Sequence, residues 1–138
     1  MSFLLDTNVL SEACKPQGDP SVKAWIEGSS GSDLYLSVLV VGEIRQGIER
    51  LLRRDPGQAR VFDAWLRRLQ EQYRDRVLDV TAAVAEEWGR LNVPDPLPPV
   101  DALLAATAKV HGLTLVTRNT EGVARSGVAL LNPFLPNP

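Results

Sequence analysis

The stretch DALLAATAKVHGLTLVT, residues 101–117, decides the fold of this chain. Its first part is almost wholly apolar, with Ala and Leu recurring at helical spacing. It predicts a compact buried helix over Ala102–Val110, closed by Gly112. Leu113–Thr117 follows at once as an apolar run of strand length. A buried helix that feeds directly into a buried strand is half of a parallel β-α-β unit, because parallel neighbours need a crossover connection.

Working outward, the same alternation recurs. The proline-rich residues 94–99 (PDPLPP) cannot be helical, since each Pro holds its predecessor extended. Before them, Val77–Val80 reads as a strand, and Thr81 caps a helix carrying Val84, Trp88 and Leu91. Asp19-Pro20 and Asp55-Pro56 are two helix starts of one kind, with Asp as N-cap and Pro at the first helical position. The first leads a helix with Trp25 and Ile26 on its apolar face, which Gly28 stops. The second leads a helix faced by Val61, Phe62, Trp65, Leu66 and Leu69. Between them, Leu34–Val38 alternates as a strand, and a helix runs from about Val40 to Arg53 with Ile44, Ile48, Leu51 and Leu52 at helical spacing. Phe3-Leu4-Leu5 opens the chain as a short buried strand ended by Asp6, and Val128–Leu131 is the last strand. The three tryptophans fall on apolar helix faces and so in the core. Five strands separated by helices predict an α/β fold, a mostly parallel central sheet with helices on both faces, in one domain over residues 1–138.

Composition narrows the chemistry. Hydrophobic residues at 44% and charged residues at 23% describe an ordinary globular chain. Cys14 is the only cysteine, which excludes a disulfide framework and a Cys-rich zinc site. His111 is the only histidine; next to the helix-closing Gly112, it reads as a helix-end residue rather than a ligand. No apolar run approaches the roughly 20 residues that span a bilayer. The opening MSFLLDTN has no basic segment before its first acid, so the expectation is no signal peptide and a cytoplasmic location. Neither GxGxxG after the first strand nor GxxxxGK[ST] is present, so nucleotide-cradling loops are unsupported. The net charge of −2 hides an uneven spread: nine of the fifteen cations, all arginine, lie between Arg45 and Arg76. These are either solvated helix faces alternating with Glu and Asp or contacts for phosphate oxygens, which suit arginine's planar fork.

Carboxylates remain. Asp6 stands at the carboxyl end of the first strand, the mouth where an open α/β sheet binds ligands, followed by the small polar Thr7, Asn8 and Ser11. Glu43 interrupts the apolar stretch Val38-Leu39-Val40-Val41-Gly42 and so points into protein or a cleft. Asp101 opens the Ala/Leu helix, with Ala105 and Ala108 leaving space above it. Each has a plainer role as well: Asp6 as a cap, Asp101 as an N-cap, and Glu43 as a partner for Arg45 or Arg50. Two carboxylates about 5 Å apart repel by roughly 3 kcal/mol at an effective dielectric of about 20. Three acids gathered at converging element ends therefore call for a cation. All-oxygen ligands select a hard ion, Mg²⁺ or Mn²⁺, which can activate water and clamp a phosphate.

These residues carry a family resemblance. LLDTNVLSE (4–12), LYLSVLVVGEIRQGI (34–48), DALLAATAKVHGLTLVTRNT (101–120) and the NP at 132–133 resemble the PIN-domain ribonucleases, and among them the toxins of VapC/FitB-type toxin–antitoxin pairs. The resemblance implies a PIN-like fold, a homodimer, and a Mg²⁺- or Mn²⁺-dependent endoribonuclease blocked by a small antitoxin, which alone links it to operator DNA. It casts Asp6, Glu43 and Asp101 as metal-site acids, with Asn119 at a fourth position that is often Asp. Thr7, Asn8, Ser37 and Thr117 are cast as supporting residues, while the charge distribution, not the resemblance, makes Arg45, Arg50 and Arg118 candidates for contacts to the RNA backbone. Gly122-Val123 departs from the family's usual Asp-Phe, and Glu121 stands beside it as a substitute acid. Setting the three acids aside leaves the rest of the chain net positive, which suits an RNA substrate. Two other readings stay open. One is a metal-dependent phosphohydrolase for small phosphate esters, although Asp6-Thr7-Asn8 lacks the second acid of a DxD nucleophile motif. The other is a non-catalytic module that joins an antitoxin in a DNA-bound repressor.

Overall fold

In the computed structural model, which describes residues 1–135, the opening apolar run becomes β1 (Phe3–Leu5), the middle strand of a five-stranded sheet. Residues 136–138 of the expected domain lie outside the described residues. The other strands are β2 (Leu34–Ser37), β3 (Val77–Leu78), β4 (Thr114–Val116) and β5 (Leu130–Leu131). They stand in the order β3-β2-β1-β4-β5, and every neighbouring pair is parallel. Leu4 faces Tyr35 on one side and Leu115 on the other. Leu4, Leu5, Leu36 and Val116 have no solvent exposure, as strands covered on both faces require.

Among the described residues the α-helices are seven: α1 (Thr7–Cys14), α2 (Pro20–Glu27), α3 (Val38–Leu52), α4 (Pro56–Gln72), α5 (Ala82–Leu91), α6 (Pro99–His111) and α7 (Thr120–Val123). The strand order reverses direction after β3. Right-handed crossovers therefore send α1–α4 to one face and α5–α7 to the other. The packing follows this division: α1 touches α2 and α3, and α3 touches α4, whereas α5 and α7 pack on α6. The carboxyl ends of β1 and β4, side by side where the order reverses, form the crevice that such sheets use for ligands.

Several boundaries differ from the sequence expectation, each for a local reason. The polar run after Asp6 is the helix α1, which sequence did not suggest because only Val9 and Leu10 give it a buried side. Asp6 caps it by accepting from the Thr7 N–H. α3 begins at Val38 rather than Val40, because the Ser37 hydroxyl accepts from the Leu39 N–H and starts the helix early. α6 begins at Pro99, the last residue of the proline stretch. At the first helical position a missing N–H costs nothing, and Asp101 lies inside the first turn instead of capping it. Gly112 closes α6 in the left-handed region at φ 66°, which a side chain would disfavour. Trp25 and Trp65 pack on the core, but Trp88 is 37% exposed, so only two of the three tryptophans are core residues. His111 is exposed in the last turn of α6.

Candidate active site

Asp6 follows β1 directly, and its backbone N–H donates to the Val116 carbonyl of β4 at 3.0 Å. Only 8% of it is exposed. One carboxylate oxygen accepts from the Thr7 N–H at 2.7 Å. The other accepts from the Thr117 hydroxyl at 2.7 Å and, at 3.4 Å, from the Asn8 amide. Burial pushes the Asp6 carboxyl above its ordinary range, the bonds from Thr117 and Thr7 oppose the rise, and the Glu43 and Asp101 charges add to it.

Both other acids are joined to Asp6 through side chains. The Thr7 hydroxyl donates to Glu43 Oε1 at 2.6 Å, linking α1 to α3. On the far side the Thr117 hydroxyl, having given its proton to Asp6, accepts from the Asn119 N–H at 3.2 Å. The Asn119 amide in turn donates to Asp101 Oδ2 at a long 3.4 Å. One line of hydrogen bonds thus runs Glu43–Thr7–Asp6–Thr117–Asn119–Asp101, drawing on β1, α1, α3, α6 and the turn after β4. Glu43 uses only Oε1 and Asp101 only Oδ2 in these bonds, so Glu43 Oε2 and Asp101 Oδ1 remain uncommitted among the described residues.

The donor chemistry fits a hard divalent ion. Every ligating atom in the line is oxygen, and among the described residues no Lys, Arg or His forms an ion pair with Asp6, Glu43 or Asp101. The set is open rather than closed: among the described residues no three His, Cys, Asp or Glu side chains are drawn together into a ready cage. Beside Thr7 and Glu43 the surface opens into a cavity of about 320 Å³ lined by Ser11, Cys14, Ile44 and, across it, Phe62 and Trp65 of α4.

The remaining sequence candidates are placed as follows. Asn8 accepts from the Arg118 N–H at 3.3 Å and so ties α1 to the turn after β4. Ser37 is fully buried and acts on the start of α3, six residues before Glu43, without touching the acids. Asn119 accepts from the Gly122 N–H at 3.2 Å and caps α7. Glu121 is exposed and makes no hydrogen bond to the other acids. Arg45 is taken up by Asp63 at 2.5 Å and Glu49 at 3.6 Å, and Arg50 is exposed. Arg118 lies with its guanidinium carbon 4.0 Å from the centre of the Phe134 ring. Sequence alone gives no sign of Phe134 beyond the adjacent NP at 132–133.

A family model described as PIN domain matches residues 3–126. Toxin FitB of Neisseria gonorrhoeae is 33% identical to this chain, over 96% of it and 98% of that protein. The VapC ribonuclease Y4jK of Sinorhizobium fredii is 32% identical, over 97% of this chain and 99% of its own length. Among solved structures, that of FitAB bound to the IR36 DNA fragment superposes with a TM-score of 0.89 at 30% identity. That match covers 99% of this chain and 98% of the other.

Proposed function

The chain belongs to the PIN-domain family, in its branch of VapC/FitB-type toxins, and from that premise we propose that it is a divalent-metal-dependent endoribonuclease that cuts RNA phosphodiester bonds. The observation that carries this reading is the unbroken hydrogen-bonded line of three carboxylates at the crevice of the sheet, with no cation paired to any of them among the described residues.

Asp6, Glu43 and Asp101 would hold Mg²⁺ or Mn²⁺, with Asn119 beside them. Such an ion supplies Lewis-acid stabilisation of phosphoryl oxygens and a more acidic water. The chain's own part is orientation. Thr7 and Thr117 fix the two oxygens of Asp6, Thr7 holds Glu43, and Asn119 holds Asp101, so each acid has a set orientation before substrate arrives. As the water oxygen bonds to phosphorus, the P–O bond to the leaving oxygen breaks. Whichever of Glu43 Oε2 and Asp101 Oδ1 the ion does not take would accept the water's proton, and the leaving oxygen would take one from solvent.

The partners follow from the same reading: an RNA substrate, a second copy of the chain, and a small antitoxin that blocks the toxin and carries it to operator DNA. FitAB on its DNA fragment supports the last link. Among the described residues no helix is long and apolar enough to cross a membrane; the proposed location is the cytoplasm, and the proposed unit is one PIN domain over residues 1–138.

The deciding experiment incubates purified protein with total RNA and Mg²⁺. Cleavage is expected, and it should vanish with EDTA and in Asp6→Asn. Equal cleavage under all three conditions would sink the reading, whereas turnover of p-nitrophenyl phosphate without RNA cleavage would point to small phosphate esters.

A further inference from the structure

We propose that Arg118 is the phosphate-holding residue of the RNA site, and that the turn Asn132–Phe134 exists to hold it in place. This rests on the ribonuclease reading above and adds to it a subsite with a stated ligand, the non-bridging oxygens of an RNA phosphodiester.

Position comes first. Arg118 sits between Thr117 and Asn119, both members of the hydrogen-bonded line that joins the acids, at the rim formed by the carboxyl ends of β4 and β5. Its backbone is fixed at both ends: the N–H donates to Asn8 Oδ1 at 3.3 Å, and the carbonyl accepts from Asn132 Nδ2 at 3.4 Å. Its guanidinium is fixed as well, stacked 4.0 Å from the Phe134 ring centre. Asn132 reaches Phe134 too, since its Oδ1 accepts the Phe134 N–H at 3.0 Å. One short turn therefore grips the arginine at its main chain and at its head.

Charge comes second. Arg45, Arg67, Arg74 and Arg90 are all paired with carboxylates. Among the described residues Arg118 has no such partner. Arg50, Arg53, Arg54, Arg60 and Arg68 share that, but only Arg118 is both stacked on an aromatic ring and placed between two members of the hydrogen-bonded line. Stacking on Phe134 occupies one face of the guanidinium and leaves its in-plane N–H fork open. That fork matches two phosphate oxygens, and an arginine already ordered by an aromatic ring loses less freedom on binding. A mouth lined by three carboxylates repels a polyanion, so a fixed cation at its rim is the complement the substrate needs.

The test measures binding of a fluorescein-labelled, mixed-sequence single-stranded RNA by anisotropy in EDTA, from about 50 to about 200 mM KCl. Arg118→Ala should weaken binding roughly five- to tenfold at the low-salt end and flatten the log–log salt slope by about 0.7, one phosphate on a single strand. Arg118→Lys should restore the slope. Phe134→Ala should weaken binding in the otherwise unaltered protein yet cost nothing further in the Arg118→Ala background. Phe134→Leu keeps the bulk without the ring and should repeat the loss if Phe134→Ala unfolds. An unchanged slope in Arg118→Ala overturns the proposal, and so does an equal Phe134 cost in both backgrounds. If the unaltered protein shows no salt-dependent RNA binding, this proposal falls; the ribonuclease reading stands or falls separately on the Mg²⁺-dependent cleavage of total RNA described above.

Discussion

The side chain of Asn119 fills the space that a side chain on Gly122 would need. A Cβ on Gly122 would stand 2.4 Å from Asn119 Nδ2 and 2.8 Å from Oδ1, while the Gly122 N–H donates to that same oxygen. The two departures noted in the sequence, Asn for Asp at 119 and Gly for Asp at 122, are thus one arrangement. A neutral amide, folded back over a glycine, gives its N–H to Asp101.

Gly122→Ala should push this amide off Asp101 without unfolding the protein, because the atoms in the way are the end of a flexible side chain. Mn²⁺ affinity measured by calorimetry should fall about tenfold, the low end of the scale of losing a residue that orients a ligand. Asn119→Ala should lose a similar factor, and the double variant no more than either alone. Additive losses would separate the two residues.

Thr117 gives its proton to Asp6 and accepts from the Asn119 N–H, and only 2% of it is exposed. Thr117→Val keeps the shape but strips a buried carboxylate of its best donor. The expected cost is about 1–3 kcal/mol in urea unfolding, with Thr117→Ser close to the unaltered protein. Equal stability of the valine and serine variants would contradict the assigned bond.

Removing the charge from Asp6 separates metal binding from folding. In EDTA, Asp6→Asn should melt within roughly 3 °C of the unaltered protein, since relief of a buried charge offsets the lost Thr117 bond. Added Mn²⁺ should raise the melting temperature of the unaltered protein, as any ligand of the folded state does, and should leave Asp6→Asn where it was. A Mn²⁺ shift in both would place the ion elsewhere.

Asp63 tests the acid side of the stability profile. Its hydrogen bond from Arg45, with Arg67 nearby, holds its carboxyl below the ordinary range. A lowered folded-state value means stability that is fully present above the ordinary carboxylate range and lost as pH falls through the lowered value. The melting-temperature gap between the unaltered protein and Asp63→Asn should therefore be widest near neutral pH and close on acidification. It should also shrink with salt, because the pair is partly exposed. A gap that grows in acid would reverse the assignment.

What sequence made legible, and what it did not, divides along the range of the forces involved. Leu4-Leu5 and Leu115-Val116 declare buried strands because burial on both faces demands unbroken apolar runs. Asp19-Pro20 and Asp55-Pro56 declare helix starts because capping is a contact over two or three residues. Asp6, Glu43 and Asp101 stand out because acids at element ends or among apolar neighbours need a reason. The Thr7–Glu43 bond spans 36 residues and the Thr117–Asp6 bond 111, and no local pattern encodes either. Arg45 illustrates the same limit from the other side: its neighbours in sequence suggested an RNA contact, and Asp63 of the next helix claims it. Trp88 carries an apolar residue's signature at helical spacing, but α5 turns it partly outward.

The central strand of the sheet is the first to be synthesised, and one of its two neighbours, β4, comes near the end of the chain. A nascent polypeptide that has left the ribosome only as far as α5 carries Asp6 and Glu43, but neither Asp101 nor the Thr117 that fixes Asp6. Whatever chemistry needs the complete set of acids is therefore absent from the partly made chain. The crevice is completed only when the segment from Asp101 to Thr117 has emerged and β4 has paired with β1.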